Sequence, residues 1–257
     1  MEITLSKVIG FLPAFVRVTG LVMASPIFGG RGVPSQVKIG LSFVTALVLY
    51  PVLPDMDFVG PSVPAYYVLL GRELLVGIGI GFAVTLVFSA IYLAGQLIDV
   101  PMGFGMVNVV DPQSGLQVPI FAQFQYILAA LVFLAIRGHH ALLQALSASF
   151  ALIPVGQGMV IGNLPMAVLD IFVRMFYLGV KLSLPLVTGL LLLDIALGIV
   201  ARAVPQINVF VVGFPAKILV GMALFILVLP AYVAFLTRMF GGQGDLGWVL
   251  KRVLEAF

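Results

Sequence analysis

The chain has 257 residues, 62% of them hydrophobic and 9% charged, with a net charge of +3 and a mean hydropathy of +1.22. A soluble domain averages about 45–50% apolar and about 25% charged residues, so these values exclude an ordinary water-soluble fold. The 13 basic residues are scattered rather than gathered into a stripe, which argues against nucleic acid as a partner, and the absence of cysteine removes disulfides, thiolate metal sites and cysteine nucleophiles.

From the N-terminus, Met1 to Lys7 lacks a basic n-region and no Ala-x-Ala site follows, so the first apolar segment is expected to stay in the protein. Apolar segments run from Leu5 to Phe28, Ile39 to Pro54, Tyr66 to Ile98, Ile120 to Ile136, Ala167 to Ala201 and Val209 to Leu236. A helix crossing about 30 Å of hydrocarbon needs roughly 20 apolar residues, so the pattern predicts about six long segments. Strands of a membrane barrel would alternate apolar and polar over about ten residues, and these runs are apolar all round. The connections are rich in Gly and Pro, from Gly29-Gly30-Arg31-Gly32 through Pro51–Pro64, Pro101–Pro119 and Gly156–Pro165 to Gly241-Gly242-Gln243-Gly244. The expected fold is all-α: an integral-membrane protein of kinked helical hairpins, with kinks at Pro13, Pro185, Pro205, Pro215 and Pro230.

Two features resist a free-standing bundle in lipid. Arg31 and Lys38 place the first loop on the cytoplasmic side; six crossings then put the C-terminus outside, where Arg238, Lys251 and Arg252 cluster. Arg17, Arg72, Glu73, Asp99, Asp170, Arg174, Lys181, Asp194, Arg202 and Lys217 all lie within or at the ends of apolar segments. A charge at a helix centre costs about 2.5–3.5 kcal/mol on insertion scales, so such groups face protein or water. Much of the chain is therefore expected to be enclosed in a larger helical assembly.

Asp170, Arg174 and Lys181 share one helical face, with Asp170 and Arg174 at ion-pair spacing, and Asp194 and Arg202 stand two turns apart. These groups read either as an ion relay or as pairs that fix helices, and the structural reading is preferred. Glu73 and Arg72 are adjacent, so they point to different sides. His139-His140 does not match the i, i+4 spacing of helical metal ligands, and no metal or other cofactor is expected. Gly77-Ile78-Gly79-Ile80-Gly81 lacks the strand and spacing of a nucleotide loop; Gly77 and Gly81 instead make a small-xxx-small face for close helix packing. Gly242-Gln243-Gly244-Asp245 resembles an intramembrane protease motif only in letters, and no catalytic constellation is found.

The stretch 101–119 has no Lys or Arg and too many Gly and Pro for one continuous helix. An apolar irregular segment at membrane depth is tolerated only inside protein or lining a cavity, and an apolar constriction can block ions by dewetting. It reads equally as a deformable plug in a pore or as a re-entrant turn packed on its own bundle.

The string from Arg202 to Lys217, containing Pro205, Gln206, Asn208, Phe210, Gly213 and Pro215, resembles the signature of the FliR family of flagellar export-gate proteins and their SctT virulence-secretion relatives. Arg17 with Pro26-Ile27-Phe28, Gly71-Arg72-Glu73 with the following glycines, Asp111-Pro112 and Ser149-Phe150 to Pro154 extend the likeness over essentially the whole chain. The resemblance implies a FliP-like part over 1–165, containing the loop 101–119, and a FliQ-like helical hairpin with a polar C-terminal tail over 166–257. It implies a non-enzymatic core component of the type III export gate in the bacterial inner membrane and flagellar basal body. The implied partners are FliP-like and FliQ-like subunits, FlhA-like and FlhB-like export components, unfolded exported proteins and lipid.

By the same resemblance Met102, Phe104, Met106, Val107, Val109 and Val110 are plug positions, and Arg17, Glu73, Asp170, Arg174, Asp194, Arg202 and Lys217 are inter-subunit or structural charges. The competing reading is a proton-coupled small-solute transporter using Glu73, Asp170 and Asp194, against which no inverted repeat with matched broken helices is visible.

Overall fold

A computed structural model of the chain describes residues 5–30, 32–52, 62–104, 119–155, 163–206 and 209–257. Among these residues all regular structure is helical: α1 (Leu5–Ala24), α2 (Ser35–Leu49), a 3-10 turn (Tyr50–Val52), α3 (Val63–Met102), α4 (Ile120–Ala135), α5 (Gly138–Leu152), α6 (Leu164–Ala203), α7 (Val209–Phe240) and α8 (Asp245–Leu254).

Among the described residues three helices are long and apolar enough to cross a membrane, or four if α4 and α5 form one broken span, so the expected count of about six long segments is not confirmed. Length is the reason. The 15 residues of α2 reach only about 22 Å at 1.5 Å per residue. Conversely, α3 and α6 have 40 residues each and reach about 60 Å, roughly twice the hydrocarbon thickness. Pro13, Pro185, Pro215 and Pro230 sit inside continuous helices, while Pro205 lies in the turn after α6. The break between α4 and α5 falls at Arg137, a non-glycine residue in the left-handed region at φ 59°.

The chain packs as two compact units. One comprises Met1–Val87, Arg137–Phe172 and Phe240–Phe257. Here α1 and α3 touch backbone to backbone. A Cβ on Gly77 would stand 2.0 Å from the Arg17 carbonyl oxygen, and one on Gly20 would stand 2.7 Å from that of Leu74. Gly81 meets Leu21 and Ala24 in the same way, and the Thr85 hydroxyl donates to the Ala24 carbonyl at 2.7 Å. The small-residue face over Gly77 and Gly81 is thus a packing device, as its spacing indicates. Phe11, Phe15, Phe43 and Tyr50 stack α1 against α2 and the turn behind it.

The C-terminal stretch, which composition marks as a polar tail, contains the amphipathic helix α8. Leu246, Val249, Leu250, Val253 and Leu254 repeat at i, i+3, i+4, i+7 and i+8 and are all buried. Asp245 in the first turn and Lys251 with Arg252 in the last complement the helix dipole. The Phe257 ring rests on Gly79 of α3, where any larger residue would collide with it.

The second unit comprises Phe88–Ile136 and Val173–Met239. Gly95 of α3 lies against the Ala122 backbone of α4, Gly179 of α6 against Ala90 and Leu93 of α3, and Gly189 of α6 against Leu224 of α7. Contacts of 181 with 235, 189 with 224 and 194 with 217 give nearly constant index sums, so α6 and α7 form an antiparallel hairpin. An aromatic cluster of Phe121, Phe124, Phe225 and Tyr232 joins α4 to α7.

Candidate functional site

Within the second unit, the end of α3 is where the central apolar segment departs. Pro101 lacks the N–H that would continue the helix, and Gly103 turns the backbone left-handed at φ +96°, a conformation cheap only for glycine. Met102 is fully buried, its thioether pressed onto Gly221 of α7 with Leu190 of α6 beside it. The Phe214 ring covers Gly103 so closely that an added Cβ would come within 3.2 Å. One turn from Gly221, Lys217 Nζ is ion-paired with Asp194 Oδ1 of α6, with side-chain exposures of 22% and 35%, and lies 6.0 Å from the Phe214 ring centroid. Phe104 is half-buried. The other plug positions Met106, Val107, Val109 and Val110 lie outside the described residues.

Close by, Asp99 caps α4 from a distance of more than twenty residues. The Phe121 amide donates to Oδ1 at 2.9 Å and the Ala122 amide to Oδ2 at 3.1 Å. The first amides of a helix have no partner in their own helix, and the local sequence offers only Pro119 at the cap position, so a carboxylate on α3 substitutes for it. Sequence reasoning noted Asp99 as a charge near a segment end but had no means of assigning this role.

In the first unit, Arg17 is fully buried. Its Nε donates to Glu73 Oε2 at 2.6 Å, Nη1 to Ser149 Oγ at 3.1 Å and Nη2 to the Ile153 carbonyl at 2.9 Å, while Phe150 lies 4.1 Å beneath the guanidinium. One cation thereby ties α1, α3 and the end of α5 together. Arg72 is exposed, whereas Glu73 is buried. Asp170 meets Arg252 of α8, with Nη2 to Oδ2 at 2.6 Å and Nε to Oδ2 at 3.1 Å. That partner is 82 residues away and outside the reach of any helical-spacing rule.

The remaining predicted residues are dispersed. Arg174 and Arg202 are exposed on α6, and the Lys181 ammonium of the second unit lies over the Tyr177 and Phe235 rings. In the signature string, Pro205, Gln206 and Pro215 are exposed and Gly213 is buried; Phe210 belongs to α7, and Asn208 lies outside the described residues. Among the described residues, His, Asp and Glu form no group of three able to hold a metal. Among the described residues the arrangement is one of helix locks and caps.

Comparison with known proteins places this architecture. The model of the family described as "Bacterial export proteins, family 1" matches residues 8–242. The flagellar biosynthetic protein FliR of Bacillus subtilis (strain 168) is 37% identical over 237 residues, covering 90% of each chain. That of Escherichia coli (strain K12) is 35% identical over 225 residues, covering 88% of this chain and 86% of the relative. That of Aquifex aeolicus (strain VF5) is 28% identical over 232 residues, covering 90% of each.

Proposed function

The chain belongs to the bacterial export proteins, family 1, and from that premise we propose that it is a core subunit of the flagellar protein-export gate, a conduit component rather than an enzyme. The observation that carries the assembly part is the uneven burial of its long helices. In the most apolar stretch of α3, 61% is buried within the chain, against 11% for α6. On α6, Leu191, Leu192, Ile195 and Ile199 stand exposed, and Leu219, Ile226 and Leu227 do so on α7. A 40-residue helix has roughly twice the length that lipid alone can cover, so other protein must shield part of this surface. FliP-like and FliQ-like subunits of the inner membrane fit this need, with FlhA-like and FlhB-like export components at the periphery and unfolded flagellar proteins as cargo. In this reading the part spanning 1–165 plays the FliP-like role and the α6–α7 hairpin the FliQ-like one.

Within that gate, the segment beginning at Phe104 seals the closed channel. Its apolar composition, with Met106 and no Lys or Arg over 101–119, suits a seal that excludes hydrated ions yet yields to a chain passing through. The test is mass spectrometry of the tagged chain purified from its native membrane in mild detergent. Recovery with FliP-like and FliQ-like proteins is expected; recovery of the chain alone, monodisperse, would sink the gate. In the assembled complex, glycine or serine at Phe104 and Met106 is expected to raise ion leakage, and unchanged leakage would remove the seal.

The transporter reading needs acidic groups free to take up protons at membrane depth. Here Glu73, Asp170 and Asp194 are each occupied by an ion-pair partner, Arg17, Arg252 and Lys217 respectively.

A further inference from the structure

The root of the central segment is held by two rungs between α6 and α7. The inner rung is apolar: Leu190 and Gly221 enclose Met102, the last residue of α3. The outer rung is the Asp194–Lys217 ion pair, four residues along each helix. Lys217 Nζ also stands over the Phe214 ring, 6.0 Å from its centroid, and Phe214 is the side chain that covers Gly103. The pair thus stands beside the ring that covers the residue where the backbone leaves α3.

We infer that Asp194 and Lys217 are positioning residues that clamp Phe214 over Gly103 and so hold the entry to the central segment in one direction, as a clasp that can open beside a pin that cannot. The difference between the rungs carries the assignment. Met102 has no exposed surface, so withdrawing it would leave a cavity in the unit. The ion pair keeps 22% and 35% of its side chains exposed, so both charges can be rehydrated when it parts. Opening it takes the Lys217 cation from the Phe214 ring and loosens the ring over Gly103, a glycine at φ +96° whose backbone has a wide choice of alternatives. The consequence for ion flow rests on the proposed seal; the positioning itself does not.

The chain contains no cysteine, so Phe104→Cys introduces its single thiol at the first position beyond the clasp. The labelling rate of this thiol by a membrane-impermeant maleimide is measured in the assembled complex. K217Q and D194N are each expected to raise the rate about two- to fivefold, the size of effect that loss of a half-exposed ion pair permits. The charge swap D194K/K217D returns it toward the parent value, a rescue that general loosening of the hairpin would not give. F214A leaves both charges in place and is expected to give the same rise, which keeps the test open should K217Q fail to accumulate. Parent-like rates in K217Q and F214A, or a rise that the swap does not reverse, would overturn the clasp. Ion leakage is read in parallel in chains that retain Phe104: faster labelling without leakage keeps the clasp and removes the seal.

Discussion

Two ion pairs join helices in this chain by the same chemistry and in opposite surroundings. Arg17 and Glu73 have side-chain exposures of 0% and 5%, and every direction around the guanidinium is filled by Ser149, the Ile153 carbonyl and Phe150. Asp194 and Lys217 keep 35% and 22%, in a hairpin whose helices leave most of their apolar surface outside the chain. A fully enclosed pair is costly to separate because each charge is stranded when the other leaves, whereas a half-exposed pair recovers much of its hydration. Gly20, Gly77 and Gly81 bring α1 and α3 into backbone contact beside Arg17. The first pair is built to stay closed, and the second can part at small cost.

The largest effect is expected from Arg17→Met. Removing one partner of a buried pair costs about 3–5 kcal/mol, because Glu73 is left charged without a counter-ion. The double variant Arg17→Met with Glu73→Leu is expected to regain most of that loss. Thermal midpoints of the detergent-solubilised complex distinguish the two, and a double variant no more stable than the single would refute the account of the lock. Next comes Gly77→Ala. Its Cβ would stand 2.0 Å from the Arg17 carbonyl, so α1 and α3 must separate, an overpacking cost of about 1–3 kcal/mol. Gly198→Ala is the control: with nothing near its Cβ it is expected to be neutral or slightly stabilising in the same midpoint measurement. Asp99→Ala follows at about 1 kcal/mol, the usual worth of a helix cap, and is expected to show as faster amide exchange confined to the first turn of α4.

What was legible in the sequence divides along the same line. Helical class, the long apolar runs, and the Gly77 and Gly81 contact face rest on composition and local spacing, and these the residues state directly. The number of crossings did not follow, because hydropathy does not register that α2 ends after 15 residues or that the chain breaks at Arg137. Charge partners were the least legible. Beyond its own helix, Asp170 also meets Arg252, 82 residues on, and Asp194 meets Lys217 of the next helix, pairings made by tertiary packing that no spacing within one helix announces. Met102 shared the apolar character of its neighbours in the central segment, yet it belongs to the packed end of α3, where the stop signal Pro101 to Gly103 could have placed it.

The smallest stability effect is expected at the pair with the largest positional one. With more than a third of the Asp194 side chain exposed, Lys217→Gln should lower stability by no more than about 1 kcal/mol after solvent screening, within the range of ordinary surface ion pairs. High salt should diminish even that difference, since Debye lengths of about 10 Å at 0.1 M shrink to about 3 Å at 1 M, whereas the enclosed Arg17 pair should be nearly indifferent to salt. Thermal midpoints of the parent, Lys217→Gln and Arg17→Met at 0.1 and 1 M salt put both pairs on one scale. If Lys217→Gln proved as costly as Arg17→Met and insensitive to salt, the outer rung would be a second structural lock, and the distinction between a pair built to stay closed and one able to part would be lost.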